Sequence, residues 1–106
     1  MNSWADRADN DKLSKQDFKT LYVVIQKILF EHDPVGINFG INEDEYAPEA
    51  GTILKRLPEA KSAKELCTIV HEEFVNWFGE ETAGRPENYT NIAQAIWDIW
   101  MGKENY

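Results

Sequence analysis

The stretch Ser62 to Gly79, SAKELCTIVHEEFVNWFG, holds a whole helix with its start and stop. Ser62 and Glu65 have capping-box spacing. The serine oxygen can accept the backbone N–H of residue 65, and the glutamate can reach back to the start of the helix. Such a cap contributes about 1 kcal/mol. Leu66, Cys67, Val70, Phe74, Trp77 and Phe78 then recur at three- and four-residue intervals, which places them on one helical face. Gly79 stands where a left-handed residue ends a helix. One apolar stripe must be covered by others, so the rest of the chain reads as its partners.

Upstream, Tyr46, Ala50, Ile53, Leu54 and Leu57 share a face in a helix expected from Asp44 to Leu57. Pro58 ends that helix, and Pro48 requires that it begin close before it. Further upstream, a helix is expected from Lys15 to His32, with Ser14 and Asp17 resembling a capping box. Phe18, Leu21, Tyr22, Ile25, Ile28, Leu29 and His32 line its inner face, and Pro34 stops it. Downstream, Glu80 to Arg85 reads as a loop. Pro86 then opens a helix whose inward face is Tyr89, Ile92, Ala93, Ile96 and Trp100, and Gly102 closes it. The expectation is an all-α fold: a small four-helix bundle with an extended loop between helices one and two. Residues 1–13 read as an N-terminal arm and 14–106 as a single helical domain. The arm, with Trp4 as its large anchor, is either a solvated tail or docked on the bundle.

The only strand-like pattern is Ile37 to Ile41, where apolar residues alternate with Asn or Gly. It follows Asp33-Pro34-Val35-Gly36, which has the residues of a β-turn. The connection from Asp33 to Glu43 reads either as a plug over one end of the bundle or as a recognition loop. His32, Asp33-Pro34-Val35-Gly36, Asp44-Glu45-Tyr46 and the helix start at Ser62 to Leu66 together resemble a family of small bacterial helical proteins with a W-D-P-I-G plus D-E-Y signature. His32 stands where that family has Trp. The resemblance implies a helical fold and no catalytic residues. More loosely, the chain is similar in type to bacterial toxin-immunity proteins.

Length and composition bound the function. The 106 residues fit one domain, and an apolar fraction of 42% is enough for a core. A formal net charge of −8 argues against phosphate-backbone binding and favours a basic partner. The single Cys67 can form no internal disulfide and no cysteine zinc cluster. Met1 to Asn10 has no apolar core of a signal peptide, and no run is long enough to span a membrane. The expected location is the cytoplasm.

No catalytic set is recognised. His71-Glu72-Glu73-Phe74-Val75 begins like a zincin helix but has Val75 where the second histidine is needed. His71 reads as a boundary residue, His32 as a residue favoured near a helix C-terminus by the dipole, and Cys67 as a buried inert thiol. Glu43, Asp44 and Glu45 lack the alternating spacing of a calcium loop. The chain is therefore expected to be no enzyme and to use no cofactor or metal.

What remains is surface. From Glu31 to Ala50 there are six acids (Glu31, Asp33, Glu43, Asp44, Glu45, Glu49) and no Lys or Arg. Glu72, Glu73, Glu80, Glu81 and Glu87 form a second acidic stretch, while Lys12, Lys15, Lys19 and Lys27 gather on the first helix and its lead-in. The expected function is that of a non-enzymatic acidic binding protein, of the immunity or inhibitor kind, holding a basic toxin such as a nuclease. Its contact residues would be Asp33, Phe39, Glu43, Asp44, Glu45, Tyr46 and Glu49. The alternative is a helical housekeeping domain that self-associates as a homodimer through extra apolar faces. Val23 and Phe30 lie opposite the inner stripe of the first helix, where docking of the N-terminal arm could cover them. Trp97, Ile99 and Met101 widen the arc of the last, where a homodimer or a partner could cover Trp97. Neither reading involves nucleic acid or membrane.

Overall fold

The computed structural model describes residues 15–36 and 46–102. They form five α-helices and two 3-10 turns, with no strand among the described residues. The helices are α1 (Lys15–His32), α2 (Ala47–Arg56), α3 (Ala63–Phe78), α4 (Glu80–Ala83) and α5 (Thr90–Trp100). The 3-10 turns are Leu57–Glu59 after α2 and Pro86–Tyr89 before α5. No described helix is long and apolar enough to cross a membrane. The Ser14 cap and the extended Ile37 to Ile41 pattern lie outside the described residues.

α1 buries Leu21, Ile25, Ile28 and Leu29, as the periodicity requires. The ends of its expected stripe do not follow. Phe18 is 43% exposed and His32 is exposed. The helices packed against α1 cover it from Leu21 to Leu29 and leave Phe18 and His32, on either side of that stretch, exposed. At the C-terminus the Asp33 N–H donates to the Leu29 carbonyl at 2.8 Å. Asp33 itself has a φ of +49°. Pro34 disfavours the right-handed α conformation at Asp33, and aspartate tolerates the left-handed one better than most residues. The Gly36 N–H then donates to the Asp33 carbonyl at 3.2 Å, closing the turn expected at Asp33-Pro34-Val35-Gly36.

α2 starts at Ala47, later than Asp44. Pro48 falls in its first turn, where a missing N–H costs no helical bond. Tyr46, Ala50, Ile53 and Leu57 are buried, and Pro58 ends the run inside a 3-10 turn.

α3 has the cap read from the sequence: Ser62 Oγ accepts the Glu65 N–H at 3.1 Å. Glu65 Oε1 reaches back to the Lys61 N–H at 2.8 Å, one residue before the cap. Leu66, Val70 and Phe74 are buried as expected. Ile69 and Glu73 are buried as well, whereas Trp77 is 45% exposed. Trp77 keeps the phase of this face in the last turn of the helix, where its indole N–H donates to Thr52 Oγ1 of α2 at 3.1 Å. Gly79, at φ +88°, ends the helix.

α4 occupies what reads as a loop. It is a single turn between Gly79 and Gly84, both at positive φ, and is too short to show a period. In α5, Ile92, Ala93, Ile96 and Trp100 are buried, with Tyr89 just before it. Ile99 is buried too, and Trp97 and Met101 pack partly buried against the core. Contacts within the chain therefore account for much of the wide apolar arc on α5.

α1 packs on α2, α2 on α3, α3 on α5, and α5 on α1. Phe74 lies at the shared centre, with ring centroids 5.9 Å from Tyr46, 5.1 Å from Tyr89 and 5.7 Å from Phe78. Tilted and offset aromatic pairs at such separations stabilise beyond their buried area, by about 0.5–1.5 kcal/mol each.

Candidate functional site

The acidic connection is fixed at its two described ends by one tyrosine. The Tyr46 hydroxyl donates to Asp33 Oδ1 at 2.8 Å and accepts the Val35 N–H at 3.3 Å. This ties the turn after α1 to the residue that opens α2. The loop between, which includes the expected contact residues Phe39, Glu43, Asp44 and Glu45, lies outside the described residues. The two described ends of that loop, at Asp33 to Gly36 and at Tyr46, meet in this clasp.

Three expected contact residues are described. Asp33 is half-buried. Tyr46 is wholly buried and Glu49 is 4% exposed. Tyr46 and Glu49 therefore face inward, and neither offers surface to a partner in this conformation. The cause for Tyr46 is its ring, which packs on Phe74 while only its hydroxyl reaches the turn. Glu49 lies in the first turn of α2, on the side that also buries Tyr46, Ala50 and Ile53. Its Oε1 is buried without a hydrogen-bond partner. Burial pushes the carboxyl above its ordinary value of 4.5, and a bond to its own backbone N–H offsets part of that rise.

A second charged group joins the end of α2 to α3. The Arg56 guanidinium donates to Glu73 at 2.8 Å, Glu72 at 3.0 Å and Glu59 at 3.1 Å. Glu73 is buried, and Glu59 and Glu72 are exposed. The hydrogen bond to Glu73, more than the other two carboxylates, holds the Arg56 proton more firmly than in water. With Glu65, Thr68 and Ile69 these residues border an open groove of about 280 Å³. The acidic reading of Glu72 and Glu73 missed Arg56, which lies 16 and 17 residues before them. No short spacing rule links residues so far apart.

The two histidines, Tyr89 and Cys67 have structural partners. The His71 Nε2–H donates to the Gly84 carbonyl at 2.8 Å, and its ring lies 5.6 Å from that of Tyr89. The Tyr89 hydroxyl donates to the Ala83 carbonyl at 2.6 Å. Burial pushes that hydroxyl's pKa up to about 12. Cys67 is half-buried, with its thiol 3.4 Å from the Pro86 carbonyl, so it lies at the edge of the core rather than within it. Together these side chains hold the turn from Ala83 to Pro86 against α3. The His32 Nδ1–H donates to the Ile28 carbonyl at 2.9 Å, within its own helix. His71 and His32 thus have separate structural bonds. Among the described residues no group of three or more His, Cys, Asp or Glu is placed to hold a metal ion.

An apolar groove lies between α1 and α2 at the end away from the clasp. Phe18, Lys19, Tyr22, Gly51, Leu54 and Lys55 line about 580 Å³ of it. Comparison with known proteins adds no relative: no family model, curated protein or solved structure matches the chain.

Proposed function

We propose that this protein is a non-enzymatic binding protein of the immunity or inhibitor kind. It holds a basic protein at the α1–α2 end. The observation that carries this reading is the uninterrupted acidity of that end: six acids and no Lys or Arg between Glu31 and Ala50. The clasp of Tyr46 on Asp33 supports it by tying both ends of the acidic connection to the helices. A partner docking there meets a loop with anchored ends, which lowers the ordering cost of binding. The ring of contacts among α1, α2, α3 and α5 supports reading the scaffold as a small four-helix bundle.

The burial of Tyr46 and Glu49 narrows the surface. The acids that act are Glu31, Asp33, Glu43, Asp44 and Glu45, with Phe39 as the aromatic anchor. Negative charge on both loop and body steers a cationic partner and raises its association rate. The resemblance to the W-D-P-I-G and D-E-Y family fits this reading, because the shared residues include both partners of the clasp.

The test is affinity capture on the full chain from its source cells, with the bound proteins identified and eluted by a salt gradient. A basic protein released by salt, and lost on Asp33→Lys with the fold intact, supports the proposal. Capture of nothing basic refutes it. A self-associating housekeeping role remains the second reading, because Val23 is 54% exposed on α1.

A further inference from the structure

The groove between α1 and α2 differs in chemistry from the acidic end. Its walls are Phe18, Tyr22 and Leu54, its floor is Gly51, and Lys19 and Lys55 stand exposed on its rim. Gly51 is in the interior of α2, where glycine disfavours the helix relative to alanine. Neither backbone nor packing requires it. Its φ is not in the left-handed region, and a Cβ there would meet only Tyr22 Cε1, at 3.8 Å. The missing side chain leaves the groove lining without a Cβ at this position.

A basic partner is repelled by Lys19 and Lys55. A second copy of this chain brings another net charge of −8, which opposes self-association. Residues 1–14 fit better. They lead directly into α1, whose first turns form one wall. They carry Trp4 and Leu13 as large apolar groups, and Asp6, Asp9 and Asp11 against Arg7 and Lys12. The chain from Trp4 to Lys15 can span about 35 Å, whereas the groove lies within about 10 Å of Lys15 along α1. A tether that short holds the indole at an effective concentration on the order of millimolar.

We propose that residues 1–14 pack into this groove, with the Trp4 indole laid over Gly51 between Phe18 and Leu54 and the aspartates beside Lys19 and Lys55. The arm covers the exposed Phe18 of α1 and leaves the acidic end to the partner.

Nuclear magnetic resonance on the isotope-labelled full chain tests this. The expected result is Overhauser contacts from the Trp4 indole to Gly51 Hα and the Leu54 methyls. Trp4→Ala should shift the amides of Gly51, Leu54 and Lys55 and leave those of Ile92 and Ile96 in place. A Trp4 indole with free-peptide shifts and no contacts overturns the proposal. So do contacts that occur only between labelled and unlabelled copies in a mixed sample, which make the occupant a second chain. The double variant Lys19→Glu, Lys55→Glu alters exposed positions only and keeps the test open if Trp4→Ala unfolds. It should weaken the Trp4 contacts several-fold, and undiminished contacts refute the placement.

Discussion

Replacing Glu49 with glutamine should make the protein more stable at neutral pH, and the gain should disappear in acid. Glu49 is 4% exposed and its Oε1 is buried without a hydrogen-bond partner. Its pKa in the fold is raised above the ordinary 4.5, chiefly by burial. The fold therefore prefers the protonated acid. Its contribution to stability is complete below the unfolded value and is lost as pH rises through the folded value. Glutamine has a similar shape and does not titrate. An unsatisfied buried polar group costs about 1–3 kcal/mol, more if charged; glutamine keeps an unpaired oxygen at this position and removes only the excess due to the charge. Against this, the charge of an acid in the first turn of α2 favours the helix by about 0.3–1 kcal/mol. The net gain from Glu49→Gln at pH 7 is about 1 kcal/mol, or about 4–8 °C in the thermal midpoint of a domain this size. Thermal unfolding of both proteins across pH 3.5 to 8 (about one unit below the unfolded value to well above it) checks the account. The two midpoints should converge in acid and separate as pH rises past 4.5. A gap independent of pH, or a glutamine variant less stable at pH 7, refutes the reasoning.

Further outcomes follow from the clasp and the arginine hub. Tyr46→Phe keeps the ring on Phe74 and removes the bonds to Asp33 and Val35. It should cost about 1–2 kcal/mol in urea unfolding and speed hydrogen exchange at Val35 and Gly36; an unchanged urea midpoint counts against the clasp. Arg56→Met leaves the buried Glu73 without its 2.8 Å partner and should cost about 1–3 kcal/mol, discounted because Arg56 itself is partly exposed. Adding Glu73→Gln to Arg56→Met should recover much of that loss, since it removes the stranded charge. Additive losses in the double variant mean that the two residues do not act as a pair.

The helices were legible in the sequence wherever a local rule governed them. The Ser62 cap, the Gly79 stop and the buried set of α5 follow from spacing alone, and the structure has all three. The errors lie where tertiary context decides. Trp77 has the right phase for the α3 stripe and meets α2 at Thr52, but it stands in the last turn of α3 and stays 45% exposed. Phe18 and His32 extend the α1 stripe past the turns that other helices cover. α4 is one turn long and shows no period. In the candidate site, the acid run was plain to read. That Tyr46 and Glu49 point inward was not, because a residue at a helix start belongs equally to the core face and to the loop. Tyr46 serves both, with its ring in the core and its hydroxyl on Asp33. The Arg56 hub depends on contacts between separate helices, which no local pattern reports.

The most direct test of the binding proposal is the rate of association with the basic protein recovered by affinity capture. The rate should be measured by stopped flow at rising salt, for the native chain and for Glu43→Lys, Asp44→Lys, Glu45→Lys together. The account predicts a rate that falls steeply with ionic strength and drops at least about tenfold in the triple variant at low salt, with both chains converging as salt screens the field. Equal rates for the two chains at low salt would contradict it and remove the acidic connection from the interface.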